Sequence, residues 1–358
     1  MLSLVLAGVS LTAWAQHSVS VPVEIEHSTN PALAVDGSPS VTRYRVSPQY
    51  TIENQNGPTQ TRFSFGGVIE RSSNTDVSDH RADPNLSLGI EQATPTGGLG
   101  LRLSFSQAST REVEFAETGV VAVDATQRDI ELTGSWTREI SDVSRFELGL
   151  GFARVSYDTP LYIGSREWTG SVGVSHDLAE DTQAVVRLIA ARLDPDQGLP
   201  GSSRRGVAVG ATTRLSESLG FSGEVGVART TGLVSRSSPT AAVRLDYEGE
   251  RLTSALELSR SPTVSGITGA YSVTRVVSWT ADYPLSERTS VNVSAIQARS
   301  RGDTAAVGTA VWLGARHSIS EFWTMEGRLG QLRSRPEAGG SARSSVLALM
   351  LTYMHPDF

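Results

Sequence analysis

Leu99-Gly100-Leu101-Arg102-Leu103-Ser104-Phe105 puts an apolar side chain at every odd position and a small or charged one at every even position. A period of two marks an extended strand with two unlike faces, because successive side chains point to opposite sides. Phe146 to Phe152, read Phe-Glu-Leu-Gly-Leu-Gly-Phe, repeats the pattern. The same register runs through 62–69, 129–136, 168–174, 219–227, 241–247 and 308–316. Almost nothing in the chain has a helical period, and no stretch approaches the ~18 to 20 uninterrupted apolar residues of a membrane helix.

The connections between these segments are of two kinds, and the kinds alternate. One set is short and turn-like, at 54–58, 94–98, 140–144, 178–181, 215–218, 248–250, 285–288 and 319–321. The other is longer and polar, at 28–40, 72–84, 110–126, 158–165, 194–203, 232–238, 262–270, 302–304 and 335–341. Eight turns and nine loops imply 8 + 9 + 1 = 18 strands. Short and long connections alternating around an even number of antiparallel strands describe a transmembrane up-and-down β-barrel of the bacterial outer membrane, with turns on the periplasmic side. A count of 16 follows if the first pair lies outside the wall.

The two faces of the strands agree with a lipid environment on one side. Phe63, Phe65, Leu101, Leu103, Leu148, Leu150, Val172, Val209, Val225, Leu256, Val311 and Leu313 share the face toward hydrocarbon. The opposite face carries Arg62, Arg102, Glu131, Glu147, Arg187, Arg214, Glu224, Arg244, Asp246, Glu257, Glu326 and Arg328, the candidate pore-lining residues. A charge on the lipid face costs a few kcal/mol near the midplane, so sending both signs inward acts as a filter on the register. Aromatics gather near strand ends: Tyr50, Trp136, Phe146, Phe221, Tyr247, Tyr283, Phe322, Trp323 and Tyr353 beside turns, and Tyr44, Tyr157, Trp168 and Tyr271 beside loops. This predicts two interfacial girdles.

Composition narrows the function classes. Of 358 residues none is Cys, which excludes a disulfide framework, a thiolate metal site and a cysteine nucleophile. All 31 basic residues are Arg, and a net charge of -7 without a basic run argues against nucleic acid as a partner. Residues 2–11 are mostly apolar and Ala13-Trp14-Ala15 follows, so residues 1–15 read as an export signal and 16–358 as a single barrel domain. No basic residue precedes the apolar run, which departs from the usual signal pattern.

Val23-Glu24-Ile25-Glu26-His27-Ser28-Thr29-Asn30-Pro31-Ala32-Leu33, then Arg45-Val46-Ser47-Pro48-Gln49-Tyr50, resembles the start of outer-membrane β-barrel proteins associated with exopolysaccharide and exosortase (PEP-CTERM) systems. Tyr283-Pro284-Leu285-Ser286-Glu287-Arg288-Thr289-Ser290 is similar to the repeated periplasmic turn of that family. The resemblance implies a barrel taking part in moving or retaining surface polysaccharide, with outer-membrane lipid, periplasmic export components and the barrel insertion machinery as partners. Terminal Phe358 suits an insertion signal, whereas Pro356 sits where that pattern expects an apolar strand residue.

No cofactor or metal is expected. The six His residues lack metal-binding spacing, and His80 with Asp76, Asp79 and Asp83 is the one polar constellation, read as a solvated loop. The expected function is a pore or accessory for export of extracellular polysaccharide, without catalysis. The alternative is a structural or surface-binding barrel with a closed lumen; a general diffusion channel comes next and a barrel hydrolase last.

Overall fold

Period-two segments pair into one continuous antiparallel wall. The computed structural model describes residues 15–111, 113, 115, 124–232, 235–301, 305–337 and 339–356, so residues 1–14 of the expected export signal and Phe358 lie outside the described residues. The strands are β1 (Gln16–Ser28), β2 (Val41–Val46 and Gln49–Asn56), β3 (Thr59–Ser72), β4 (Arg81–Thr94), β5 (Gly97–Ser109), β6 (Thr126–Ser141) and β7 (Ser144–Tyr157). They continue as β8 (Ser165–Ala179), β9 (Thr182–Pro195), β10 (Ser202–Ser216), β11 (Leu219–Thr231), β12 (Arg236–Glu248) and β13 (Thr253–Ser265). The last are β14 (Ala270–Ser286), β15 (Thr289–Arg301), β16 (Ala306–Ser318), β17 (Trp323–Pro336) and β18 (Ala342–His355).

Each strand pairs with its neighbours in sequence, and β1 pairs with β18 from Val19↔His355 to Ser28↔Val346, which closes an 18-stranded barrel. The two parts of β2 are one strand: both pair with β1 and with β3 in a constant register. Pro48 has no N–H to give to the ladder, which is why the pairing lapses there. Beside the lapse stands Gly66, the partner of Gln49, where a Cβ would lie 2.3 Å from the Pro48 carbonyl oxygen, so only glycine lets the strands approach.

All eight expected turns fall between paired strands, with two residues between most of them, such as Gly57-Pro58 and Asp142-Val143. Several of the expected loops shrink at their ends, two of them most. Arg81–Pro84 and Pro262–Ser265 are strand, so the β3–β4 loop is 73–80 and the β13–β14 connection only 266–269. Thr110, Arg111, Val113 and Phe115 in the β5–β6 loop are helical, a departure that the polar composition of that loop did not signal. β18 ends at His355, so Pro356 follows the strand rather than interrupting it.

The burial pattern is that of a soluble domain turned inside out. Leu101, Leu150, Val186, Leu188, Val209, Val225, Leu313, Leu329 and Leu349 are exposed on the outer face, while Glu24, Arg43, Glu70 and Glu326 are buried inside. Such an outer surface is stable only against hydrocarbon. Outward aromatics ring the turn end, where Trp136 meets Phe146 at 5.8 Å and Trp323 meets Tyr353 at 5.1 Å between ring centres. The expected loop-end girdle is thinner: Tyr44 and Trp168 face outward and are exposed, but Tyr157 stacks on buried Tyr162, and Tyr271 turns inward to Glu167.

Candidate functional site

The lumen is the site. Every candidate residue named from the sequence, from Arg62 to Arg328, lies on the face opposite the exposed apolar belt, in register with other polar or small residues. They separate into two charge clusters on different arcs of the wall and a few single charges.

The first cluster spans the closure, from β16 and β17 across to β1, β2 and β3. Arg43 ion-pairs with Glu26 at 2.8 Å, Arg45 reaches both Glu24 and Glu26 at 3.6 Å and bonds Glu70, and Arg328 reaches Glu24 at 2.7 Å. Arg316 completes it through Glu326 at 3.0 Å. Four guanidinium groups thus face four carboxylates. Glu70 and Arg43 are nearly sealed from solvent, so each charge there depends on its partners. Of these eight only Glu326 and Arg328 stand among the candidate pore-lining residues, although Val23 and Ile25 pointing outward already place Glu24 and Glu26 inside.

The second cluster lies on β7 to β13. Arg187 sits between Glu147 at 3.4 Å and Glu224 at 2.9 Å, skipping one strand on either side. Its register neighbours are Gly173 on β8 and Ala208 on β10, small enough to let the guanidinium reach over them. Arg244 pairs with Asp246 at 2.6 Å and also bonds Glu257. Glu147, Arg187, Glu224, Arg244 and Glu257 line one cavity of about 400 Å³. With Asp246 the cluster holds four carboxylates and two guanidinium groups, a net negative wall.

Arg102, Glu131 and Arg214 face inward, yet each is exposed and forms no ion pair among the described residues. Arg62 pairs with Glu53 at 3.0 Å near the turn end and is also largely exposed. Water therefore reaches the inner wall at these positions, from Arg62, Arg102 and Arg214 on the turn side to Glu131 above mid-height.

Toward the loops the lumen narrows from two sides. Phe115 of the β5–β6 loop is buried against Leu33, Ala310 and Ala342, with Ile296, Trp312 and Leu332 packed around them. Those residues form an apolar patch on the inner faces of β15 to β18. Trp312 lies over Gly330, where a Cβ would come within 2.3 Å of the indole. Arg111 holds the base of this loop through Asp124 at 3.2 Å and the Val77 carbonyl at 2.7 Å.

From the other side, the outer ends of β13 and β14 lean inward. The β12–β13 ladder stops at Ala241↔Arg260, although β12 continues outward to Arg236. Arg204 on β10 donates to the Pro262 carbonyl at 2.9 Å, Tyr271 donates to Glu167 at 2.6 Å, and the Ile163 N–H donates to Gly266 at 2.6 Å. Periodicity locates strands but says nothing of where a hairpin end leans, so neither constriction was legible beforehand.

The polar loop around His80 gathers no site. His80 Nδ1 accepts from the Ser72 N–H at 3.1 Å, and Asp83 is held by Arg81 at 2.8 Å. Among the described residues no group of three potential ligands converges.

A closed antiparallel barrel of 18 strands with a charged interior defines the class: this is the fold of outer-membrane porins. The chain is similar to OpdO of Pseudomonas aeruginosa, with a TM-score of 0.53 at 9% identity over 95% of this chain and 97% of that one. OccAB4 of Acinetobacter baumannii gives 0.54 at 8% over 96% and 99%, and OccK7 (OpdD) of Pseudomonas aeruginosa gives 0.53 at 10% over 96% and 100%. At such identities the likeness is one of fold. No family model and no curated protein matches the chain, so the resemblance to exopolysaccharide-associated barrels has no support beyond its short motifs.

Proposed function

We propose that the protein is an outer-membrane channel whose water-filled lumen passes small charged solutes, with a preference for cations. The observation that carries this reading is the exposure, inside a closed wall, of inward-facing Arg102, Glu131 and Arg214, none of which has an ion-pair partner among the described residues. Ions paired throughout would fill a barrel of side chains, whereas these charges need water, and a barrel of about 18 strands has room for it. The balanced cluster at the closure adds no net field. The net negative cluster around Arg187 does, and charged walls in a narrow lumen sort ions by sign.

Export of a polysaccharide, the role implied by the resemblance, requires a passage clear from rim to rim. Phe115 and the leaning β13–β14 end stand in such a passage, which favours smaller solutes. The test is conductance of the refolded chain in a planar bilayer, with and without a charged polysaccharide. Discrete steps that the polymer leaves unaltered fit a small-solute channel, and steps blocked by it restore the export role. A silent bilayer holding verified inserted barrel leaves the closed, structural barrel as the reading.

A further inference from the structure

The arginines of the outer face are distributed unequally. Toward the turns the outward rim is aromatic, while toward the loops the positions that end the apolar run are arginines on strand after strand. Arg205 stands directly opposite Arg229 across β10 and β11, and Arg275 directly opposite Arg299 across β14 and β15. Arg333 and Arg343 form a third such pair across β17 and β18. Their outward direction follows from strand parity with Val207, Val227, Trp279, Leu329 and Leu347, all exposed on the apolar face.

Like charges opposite each other in a ladder are destabilising. None of these six guanidinium groups has an ion-pair or hydrogen-bond partner among the described residues, although the chain holds 38 carboxylate side chains against 31 arginines. The inner clusters show the contrast, since Arg43, Arg187, Arg244, Arg316 and Arg328 all face carboxylates. A fourth opposed pair, Arg154 and Arg166, has Asp194 in register with it, but Asp194 pairs with Arg192 at 3.2 Å.

The height of the row suits a headgroup. Arg229 lies ten residues along β11 from Leu219. At ~3.3 Å per residue and a strand tilt near 40°, that is about 25 Å, the height of the apolar band of such barrels.

We infer that the opposed arginine pairs at the loop rim bind phosphorylated headgroups of the surrounding lipid leaflet, the phosphate bridging two strands by paired guanidinium contacts. This rests on the outer-membrane reading given above. Guanidinium forks match phosphate oxygens two at a time, which turns the repulsion within each pair into a shared ligand site. A lipid with more than one phosphate fits best, since the pairs recur around the rim.

The test uses the refolded barrel in nanodiscs of a zwitterionic phospholipid, with a bisphosphorylated glycolipid added as probe and native mass spectrometry as readout. Wild type should retain the glycolipid, and the combined variant R205Q/R229Q/R275Q/R299Q should retain it at least about tenfold more weakly. R138Q, on the outer face at the turn end, should behave as wild type. In zwitterionic lipid alone the combined variant should unfold at an equal or higher temperature, because the repulsion is gone.

Equal retention by variant and wild type, or no preference of wild type for the glycolipid over the zwitterionic lipid, overturns the inference. Displacement of the lipid by inorganic phosphate at millimolar concentration overturns its lipid source in favour of a free-anion site. A barrel that fails to enter the nanodisc at all defeats the membrane reading itself, and heat-modifiable migration in detergent gels distinguishes that failure.

Discussion

Arg187→Gln isolates the contribution of the negative cluster to ion sorting. Wild-type Arg187 offsets Glu147 at 3.4 Å and Glu224 at 2.9 Å, leaving the three groups at net -1; the variant leaves -2. One unit charge acts on an ion ~5 Å away in a water-like lumen with about 0.8 kcal/mol, and salt at 0.1 M with a ~10 Å Debye length trims this toward ~0.5 kcal/mol. Cations gain and anions lose that amount, so the cation-to-anion permeability ratio should rise about fivefold. The fold should tolerate the change, because the three side chains are between 24% and 34% exposed and such pairs contribute ~0.2–1 kcal/mol each. The assay is the reversal potential of inserted channels under a KCl gradient. A reversal potential equal to wild type, at equal conductance, would refute the placement of this cluster on the ion path.

Three further expectations follow from named contacts. Phe115→Ala removes the side chain that pins the β5–β6 loop to the patch at Ala310 and Ala342, and should raise single-channel conductance or its open-state noise; truncating such a buried ring costs roughly 3–5 kcal/mol. Glu70→Gln leaves Arg43 and Arg45 short of a buried counter-charge and should lower barrel stability by about 3–5 kcal/mol, read from the urea midpoint of refolding into lipid vesicles. Asp158, in the β7–β8 loop, is pushed up by partial burial, but hydrogen bonds from the Thr126 backbone and hydroxyl, with help from Arg81, hold it below its ordinary 3.8. A depressed carboxylate stabilises the fold above its unfolded value and loses that contribution as pH falls through the folded one. Asp158→Asn should therefore speed proteolysis of the 158–164 loop at neutral pH, and the difference from wild type should vanish in strong acid.

The sequence carried the wall but not what hangs inside it. Period two placed Leu101 and Leu103 outside with Arg102 between them, and turn chemistry at Gly57-Pro58 and Asp142-Val143 fixed where strands reverse. These are local properties, each written in a few adjacent residues. Which inner charges meet is not local: Arg187 reaches Glu224 because Ala208 on the intervening strand is small, and Arg328 meets Glu24 from the far end of the chain. Nor does a polar loop composition reveal that Phe115 crosses to Ala310. Tyr157 and Tyr271 show the limit in reverse, since proximity to a loop suggests the membrane interface while parity sends Tyr157 inside and the inward lean of its hairpin end carries Tyr271, which shares the parity of Trp279, to Glu167.

The balanced charge cluster at the seam also bears on the order in which the barrel assembles. Glu24 and Arg328 are 304 positions apart, and the register that joins them runs from Val19↔His355 to Ser28↔Val346. Contacts so distant along the chain are made last and slowly, because the intervening segment must be ordered first. Until β18 arrives, Glu24 and Glu26 have only β2 to answer them, and Arg328 and Arg316 have only Glu326. The two half-clusters carry unlike charge states that cancel only on meeting. A chain that closes in the wrong register, or without its last strand, leaves the nearly buried carboxylates Glu24 and Glu326 short of their guanidinium partners, so the seam penalises misclosure at the step where an open sheet becomes a sealed one.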